Sequence, residues 1–457
     1  MGVDLTGITA DSRAVQPGFM FAALPGSRQD GRQFIGEAVA RGAVAVLAPV
    51  GTSWPPGVPP RPMLTHAAPR EKLAQLAVEL AGPPPKHLAA VTGTNGKTST
   101  VDFLRQILEM SGRRAASLGT LGVIAQGVPA AESLTTPDPV TLANTLAELA
   151  RNGITHAALE ASSHGIEQSR LDGLKFEVAA ISNLTRDHLD YHGSLAAYRA
   201  AKLRLFDVLL PRGAPALVMA DIEPATMARL REIAARRGLD LRAVELDAVP
   251  LPDGQDVMVR LASVARQVRL NLPGRFQADN AVLAACIAAA MGVVDALSFL
   301  PRLAGVRGRL ERAAVLPNGA AAYVDYAHTP DAIERALAAL RPHANRLVIV
   351  FGAGGDRDAG KRPLMGAAAV RLADAAIVTD DNPRSEDPAL IRAAILAAAP
   401  AAVEIGDRRA AIAAGLAMLG PGDVLLVAGK GHEQGQIIGG EIIPFDDAAV
   451  IRDLAGG

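Results

Sequence analysis

Residues 86–100, KHLAAVTGTNGKTST, constrain this chain more than any other stretch. Leu88, Ala89, Ala90 and Val91 form an apolar run of strand length, and a polar, Gly-marked turn follows at once. That order predicts a buried strand delivering the chain to a loop, with a helix after it. Gly93 and Gly96 let backbone N–H groups approach an anion, Lys97 adds a point charge, and Thr98 offers a hydroxyl of the kind that ligates magnesium. Gly93, Thr94, Asn95, Gly96, Lys97, Thr98 and Ser99 are therefore expected to hold the phosphates of a nucleotide. The glycine that opens the usual phosphate-binding loop is replaced by Val91. A Gly-rich turn with a solvated lysine is the plain alternative, and the flanking strand and helix patterns favour the nucleotide.

The chain has 457 residues, 49% hydrophobic and 20% charged, which is enough for about three well-buried domains. A formal net charge of −1 argues against a nucleic-acid-binding protein, so an anionic ligand must be held by local groups. No uninterrupted apolar run reaches membrane-spanning length, and no signal or transit peptide is visible at the N-terminus. Cys286 is the only cysteine, so no intrachain disulfide can form and a reducing cytoplasm is the expected compartment.

Boundaries are expected near 82 and 306, dividing the chain into 1–82, 83–306 and 307–457. The first unit opens on GITADSR, contains a strand-like run at Ala43 to Ala48, and crosses a Pro-rich surface loop at Trp54 to Pro62. Pro83, Pro84 and Pro85 read as a linker. The middle unit alternates short apolar strands (Ala157 to Glu160, Val178 to Asn183, Ala216 to Ala220) with helical stretches, the pattern of a parallel α/β sheet. In the third unit three buried strands end in polar loops: Leu347 to Phe351 before GAGGDRDAGKRP, Ala375 to Thr379 before DDNPR, and Val424 to Ala428 before GKGHE. In an open parallel sheet such loops share the ligand-binding edge. GAGGDR is no dinucleotide fingerprint, because Arg357 stands where the last glycine belongs.

Two strand ends in the middle unit also carry chemistry. Glu160 opens EASSHG, and His188 lies in NLTRDHLDYHG. With Thr98, a carboxylate and an imidazole could complete a magnesium site beside ATP. A helix N-cap is the plain reading of Ser162 and Ser163, and a zinc pair at His188 and His192 ranks last, with neither cysteines nor an HExxH pattern beside it.

TGTNGKT, EASSHG, NLTRDHLDYHGS, AYRAAKLRLF, VDYAHTPDA, GAGGDRDAGKRPLM, DDNPR and GKGHE, in this order, closely resemble the Mur ligases over nearly the whole chain. The resemblance implies an α/β protein of three domains: one for a UDP-MurNAc substrate, a central P-loop parallel-sheet ATPase domain, and a C-terminal Rossmann-like domain for the amino acid. It implies an ATP-dependent, magnesium-requiring ligase of peptidoglycan synthesis, acting as a monomer without nucleic-acid or membrane partners. Its substrates would be UDP-MurNAc-L-Ala-D-Glu and meso-diaminopimelate, joined through an acyl phosphate.

By the same resemblance Lys97, Glu160, His188 and Lys202 would be catalytic. Thr98, Glu160, His188 and a carbamylated Lys202 (N6-carboxylysine) would hold magnesium. Asn280, Arg309, Asp325 and His328 would join the P-loop on ATP. Ser12, Thr135, Thr136, Ser162, Gln168 and Arg170 would contact the UDP-MurNAc-dipeptide, and Arg357, Asp381, Asn382, Pro383, Arg384, Gly429 and Glu433 the diaminopimelate. Relatives usually carry a segment before GITADSR, so the uracil contacts are the open part of this expectation. A non-catalytic nucleotide switch, a lysine-adding relative and a folylpolyglutamate synthetase are the rivals. DDNPR and GKGHE speak against the switch; the DSR opening and TTPD at Thr135 to Asp138 speak against the folate enzyme.

Overall fold

The computed structural model describes residues 4–26, 29–128, 134–185, 187–251, 253–261 and 264–456. Packing divides the chain into two compact units, Met1–Glu245 with Val282–Leu297, and Leu246–Ala281 with Ser298–Gly457.

The first unit contains two sheets. Strands β1 (Gly7–Thr9), β2 (Phe19–Ala22), β3 (Ala45–Pro49) and β4 (Met63–His66) lie parallel in chain order. Helix Pro69–Ala81 buries Leu73 and Ala77 against Ile8, Met20 and Leu47, and Ala143 of helix Pro139–Arg151 joins the same cluster. Arg204 adds an ion pair to Glu71 at 3.1 Å, and residues 1–82 lie in the same compact unit as the P-loop sheet.

That second sheet is built on β5 (His87–Thr92). Its further strands are β6 (Ala115–Gly119), β7 (Gly122–Ala125), β8 (His156–Glu160), β9 (Val178–Ile181), β10 (Pro215–Met219) and β11 (Asp240–Leu251). The spatial order is β11-β10-β9-β5-β8-β6-β7, parallel except for the β6–β7 pair. The central strands β5, β8, β9 and β10 are buried almost throughout, as in a parallel sheet covered on both faces, whereas β11 carries charged, exposed residues between its buried ones. After β5 the chain crosses to β6 on one side and later fills β9 on the other, so the loop after β5 lies where the winding reverses. Ligands of open α/β sheets bind at such a point.

The second unit opens with the end of β11 and an antiparallel hairpin of β12 (Gly254–Leu261) and β13 (Val264–Leu270). Its main sheet contains β14 (Glu311–Val315), β15 (Ala321–Asp325), β16 (Leu347–Phe351), β17 (Ala375–Val378), β18 (Val403–Glu404) and β19 (Val424–Ala428). The order is β14-β15-β19-β16-β17-β18, parallel except at β14. On β16, Leu347, Ile349 and Phe351 enter one apolar cluster and Val348 and Val350 the other, the two-residue alternation of a strand buried on both faces. GAGG, DDNPR and GKGHE therefore emerge together at the C-terminal edge. A small hairpin, β20 (Gly435–Ile438) with β21 (Glu441–Pro444), follows GKGHE. Among the described residues no helix is long and apolar enough to cross a membrane.

Candidate active site

The P-loop is shaped by β9 as much as by its own glycines. Gly93 has φ 144°, and a Cβ there would stand 2.0 Å from Ser182 Oγ, so only glycine fits. Thr94 N–H donates to Asn183 O at 3.0 Å, and Asn95 N–H to Asn183 Oδ1 at 3.0 Å. Tyr198 Oη donates to Thr94 Oγ1 at 3.2 Å; burial pushes its phenol up to about 12, so it remains a donor. Helix Lys97–Met110 begins directly behind Gly96, which puts its free N–H groups at the loop. Lys97 Nζ folds back to Gly93 O and Thr94 O, each at 2.9 Å.

Lys202 reaches the same carbonyl. It lies on helix Leu195–Arg204, which runs on as a π-helical turn, Leu205–Leu209, and its Nζ donates to Gly93 O at 2.7 Å. Only 1% of the residue is exposed, so it is no surface lysine. Burial and, after it, the Lys97 charge hold its amine well below the usual lysine range, against a smaller pull from Asp187. Nζ also sits 4.5 Å from the centre of the Tyr198 ring.

Glu160 ends β8, buried, with Oε1 accepting from Thr120 N–H at 2.7 Å and Oε2 from Thr120 Oγ1 at 3.3 Å. Around it gather most of the expected dipeptide residues. Thr135 Oγ1 lies 3.0 Å from Thr120 Oγ1, Thr136 Oγ1 donates to Glu160 O at 2.8 Å, and Ser162 N–H donates to Thr136 Oγ1 at 3.0 Å. Arg170 donates to Thr136 O at 2.6 Å and to Gln168 Oε1 at 2.8 Å, and Gln168 Nε2 donates to Tyr191 Oη at 3.2 Å. Ser162 also caps helix Ser163–Glu167 through Gly165 N–H. Ser12 is outside this group, its hydroxyl donating to Glu37 at 3.0 Å in the loop after β1.

His188 has a left-handed φ of 50° and a half-exposed side chain, with its ring 5.1 Å from that of His164 and 6.2 Å from that of Tyr198. His192 is committed differently: Nε2 is 3.0 Å from Ser163 Oγ and Nδ1 is 3.5 Å from Glu167. Among the described residues no group of three or more His, Cys, Asp or Glu side chains forms a metal cage.

The second unit holds the remaining expected residues. Asn280 is buried on helix Arg275–Ala290, and Gln277 of the same helix donates to Arg309 O at 2.8 Å. The Arg309 guanidinium lies 4.9 Å from the centre of the Tyr326 ring, with its Nε buried and unbonded. Asp325 Oδ2 accepts from Leu310 N–H at 2.7 Å. Crowding by surrounding atoms raises its carboxyl to about 6, against the pull of Arg309. His328 Nδ1 lies 2.8 Å from Tyr326 O.

The DDNPR and GKGHE loops close on each other. Asn382 Nδ2 donates to Glu433 Oε2 at 2.8 Å, while Asn382 Oδ1 accepts from Lys430 Nζ and Ile437 N–H, each at 2.9 Å. Asp381 presents a buried, unbonded Oδ2, and a Cβ on Gly429 would stand 2.5 Å from it. Pro383 is buried beside them, and Arg357 is exposed on the GAGGDR loop. Arg384 takes φ 54° and donates to Gly355 O at 2.8 Å.

Comparison with known proteins gives the same assignment along the whole chain. Three family models match: "Mur ligase family, catalytic domain" on 4–79, "Mur ligase middle domain" on 91–288, and "Mur ligase, glutamate ligase domain" on 308–431. A relative from Caulobacter vibrioides, UDP-N-acetylmuramoyl-L-alanyl-D-glutamate–2,6-diaminopimelate ligase, is 53% identical across 97% of this chain and 94% of its own. The chain belongs to the Mur ligase family. A solved structure of a diaminopimelate ligase of the same name aligns at TM-score 0.74 and 34% identity, covering 99% of this chain and 95% of that one. Folylpolyglutamate synthase from Mycobacterium tuberculosis aligns at TM-score 0.65 but only 19% identity, covering 85% and 95%, so it shares the Mur ligase fold alone.

Several residues that brace these loops lie outside any recognisable motif or carry no distinctive signal within one. Thr120 holds Glu160 but stands in an unremarkable LGTLG turn. Tyr198 could have been noticed, since it sits in AYRAAKLRLF one helical turn before Lys202. Arg408 pairs with Asp447 in full burial at 2.7 Å and donates to Asp380 O and Ala428 O, behind the DDNPR and GKGHE loops. Its sequence context, DRR at a helix start, reads as solvated charge. Lys430 was in plain view, between Gly429 and Glu433.

Proposed function

We propose that this Mur ligase joins meso-diaminopimelate to the D-glutamate γ-carboxyl of UDP-MurNAc-L-Ala-D-Glu, cleaving ATP to ADP and phosphate, as a cytoplasmic step of peptidoglycan synthesis. The observation that supports this most is 53% identity to a diaminopimelate ligase across 97% of the chain, combined with the charged strand-end cluster of Asp381, Asn382, Arg384 and Glu433. A carboxylate is a poor electrophile. The γ-carboxylate oxygen first attacks the terminal phosphorus of ATP, releasing ADP; the amine then attacks the acyl carbon, loses a proton and expels phosphate. No protein nucleophile is needed, so the residues work by position and charge.

In this reading Lys97 leaves the Gly93 and Thr94 carbonyls for the ATP phosphates, and the P-loop N–H groups bind the same oxygens. Asn280, Arg309, Asp325 and His328 serve the nucleotide. Thr135, Thr136, Ser162, Gln168 and Arg170 orient the dipeptide next to Glu160. Magnesium prefers oxygen ligands, and the buried Thr98 hydroxyl and Glu160 carboxylate suit it; for a second ion we propose Lys202 and, on the family resemblance rather than on ligand chemistry, the His188 imidazole. An amine is unsuited to that role, so Lys202 takes part as the carbamate. The metal supplies neutralisation of phosphoryl charge. Arg384 grips the distal carboxylate of diaminopimelate and Glu433 its ammonium. The division into 1–82, 83–306 and 307–457 assigns one domain to each substrate, and a monomer suffices.

Purified protein incubated with ATP, the UDP-dipeptide and either diaminopimelate or lysine tests this. Phosphate release and product mass should follow diaminopimelate; equal efficiency with lysine would refute the assignment.

A further inference from the structure

Lys430 is fully buried, and the side chains that hold it are two of the residues proposed above for diaminopimelate. Its Nζ donates to Asn382 Oδ1 at 2.9 Å and reaches Glu433 Oε2 at 3.2 Å. A lysine that loses all its water is costly unless a charge and hydrogen bonds replace it. Asn382 and Glu433 provide both, from two different loops.

The network also settles which way the Asn382 amide points. Its oxygen accepts from Lys430 Nζ and Ile437 N–H, and its nitrogen donates to Glu433 Oε2 at 2.8 Å. Turning the amide over would set donors against donors on the oxygen side. Glu433 thus has one oxygen tied from two directions. Its side chain is still 31% exposed, so the carboxylate remains open to a ligand from solvent.

We infer that Lys430 is a positioning residue for amino-acid selection: through Asn382 and Glu433 it fixes the carboxylate that receives the substrate ammonium. This rests on the diaminopimelate reading of the pocket. Lys430 touches no substrate. Its ammonium pairs with Glu433, and its two bonds set the direction from which a substrate ammonium can approach. Without it, Asn382 Oδ1 keeps only the Ile437 N–H of its two donors, and Glu433 Oε2 keeps only the Asn382 amide of its two side-chain tethers.

The experiment is a double-mutant cycle on the full chain, Lys430→Met against Glu433→Gln, reading KM for diaminopimelate, ATP and the UDP-dipeptide separately. Lys430→Met is expected to raise KM for diaminopimelate by roughly 30-fold or more, the scale for truncating one partner of a buried charged pair, with little change in KM for ATP. Added to Glu433→Gln, it should raise KM no further, because Lys430 acts through that carboxylate. A merely structural lysine would lower the melting temperature, shift the three KM values together and leave the effects additive; that outcome overturns the inference. Should Lys430→Met alone not fold, the double variant decides, and a KM above that of Glu433→Gln overturns the inference. Parent enzyme that accepts lysine as readily as diaminopimelate would instead overturn the underlying substrate reading.

Discussion

Replacing Lys202 by alanine tests whether this residue works as a carbamate. Carbamate formation needs a neutral amine: the nitrogen attacks the carbon of CO2, a new N–C bond forms, and the amine loses a proton to leave a carboxylate. A free lysine near neutral pH is neutral in only about one molecule in a thousand, and each unit of pKa depression raises that fraction about tenfold. Burial to 1% exposure and the neighbouring Lys97 charge both act in that direction at Lys202. The Gly93 carbonyl 2.7 Å away can hold the amine's hydrogen while the lone pair is engaged. Removing one preorganised charge at a phosphoryl-transfer site costs about 100- to 1,000-fold in kcat, so Lys202→Ala should lose that much, with partial recovery in added acetate or formate. Phosphate release gives the rate, and labelling with carbon-13 bicarbonate should give a carbamate carbon resonance in the parent that is missing from the variant. Normal turnover by Lys202→Ala, or active parent enzyme with no carbamate resonance, would refute the reasoning.

Arg384→Ala should lower kcat/KM for diaminopimelate by roughly two to three orders of magnitude while lysine stays a poor substrate, since a desolvated charge pair loses one partner; steady-state kinetics with both amino acids checks this. Gly119→Ala places a Cβ 2.0 Å from Glu160 Oε1 and must push that carboxylate aside. We expect its magnesium requirement to rise and kcat to fall by about 100-fold; an unchanged magnesium titration would exclude Glu160 as a ligand. Asp325 is raised from 3.8 to about 6, so the native state binds the extra proton between those values and stability falls as pH rises through that window, then levels off. Asp325→Asn should remove that part of the slope, about 1–2 kcal/mol after discounting for partial exposure, in melting curves of parent and variant compared from pH 4 to 7.

Short-range chemistry was legible in the sequence. An apolar run followed by glycine, lysine and threonine specifies strand, loop and helix through contacts a few residues apart, and β5, Gly96 and helix Lys97–Met110 lie where that pattern puts them. The strands before DDNPR and GKGHE were readable for the same reason: burial on both faces demands an unbroken apolar run, and polar residues mark its end. Partners far apart in the chain could not be read this way. Lys202 reaches Gly93 across 109 positions and Lys430 reaches Asn382 across 48, and both contacts depend on which strands lie side by side. The turn at Thr120 meets Glu160 because β6 pairs with β8, and Arg408 meets Asp447 because two helices stack on one sheet face. A charged residue in an amphipathic helix looks solvated until its neighbours are known, because local periodicity carries no information about which face the rest of the fold will cover. Residue type and spacing determined the loops and their chemistry; only the tertiary structure decided which charges lose their water, and so which amine and carboxyl groups have their protonation changed.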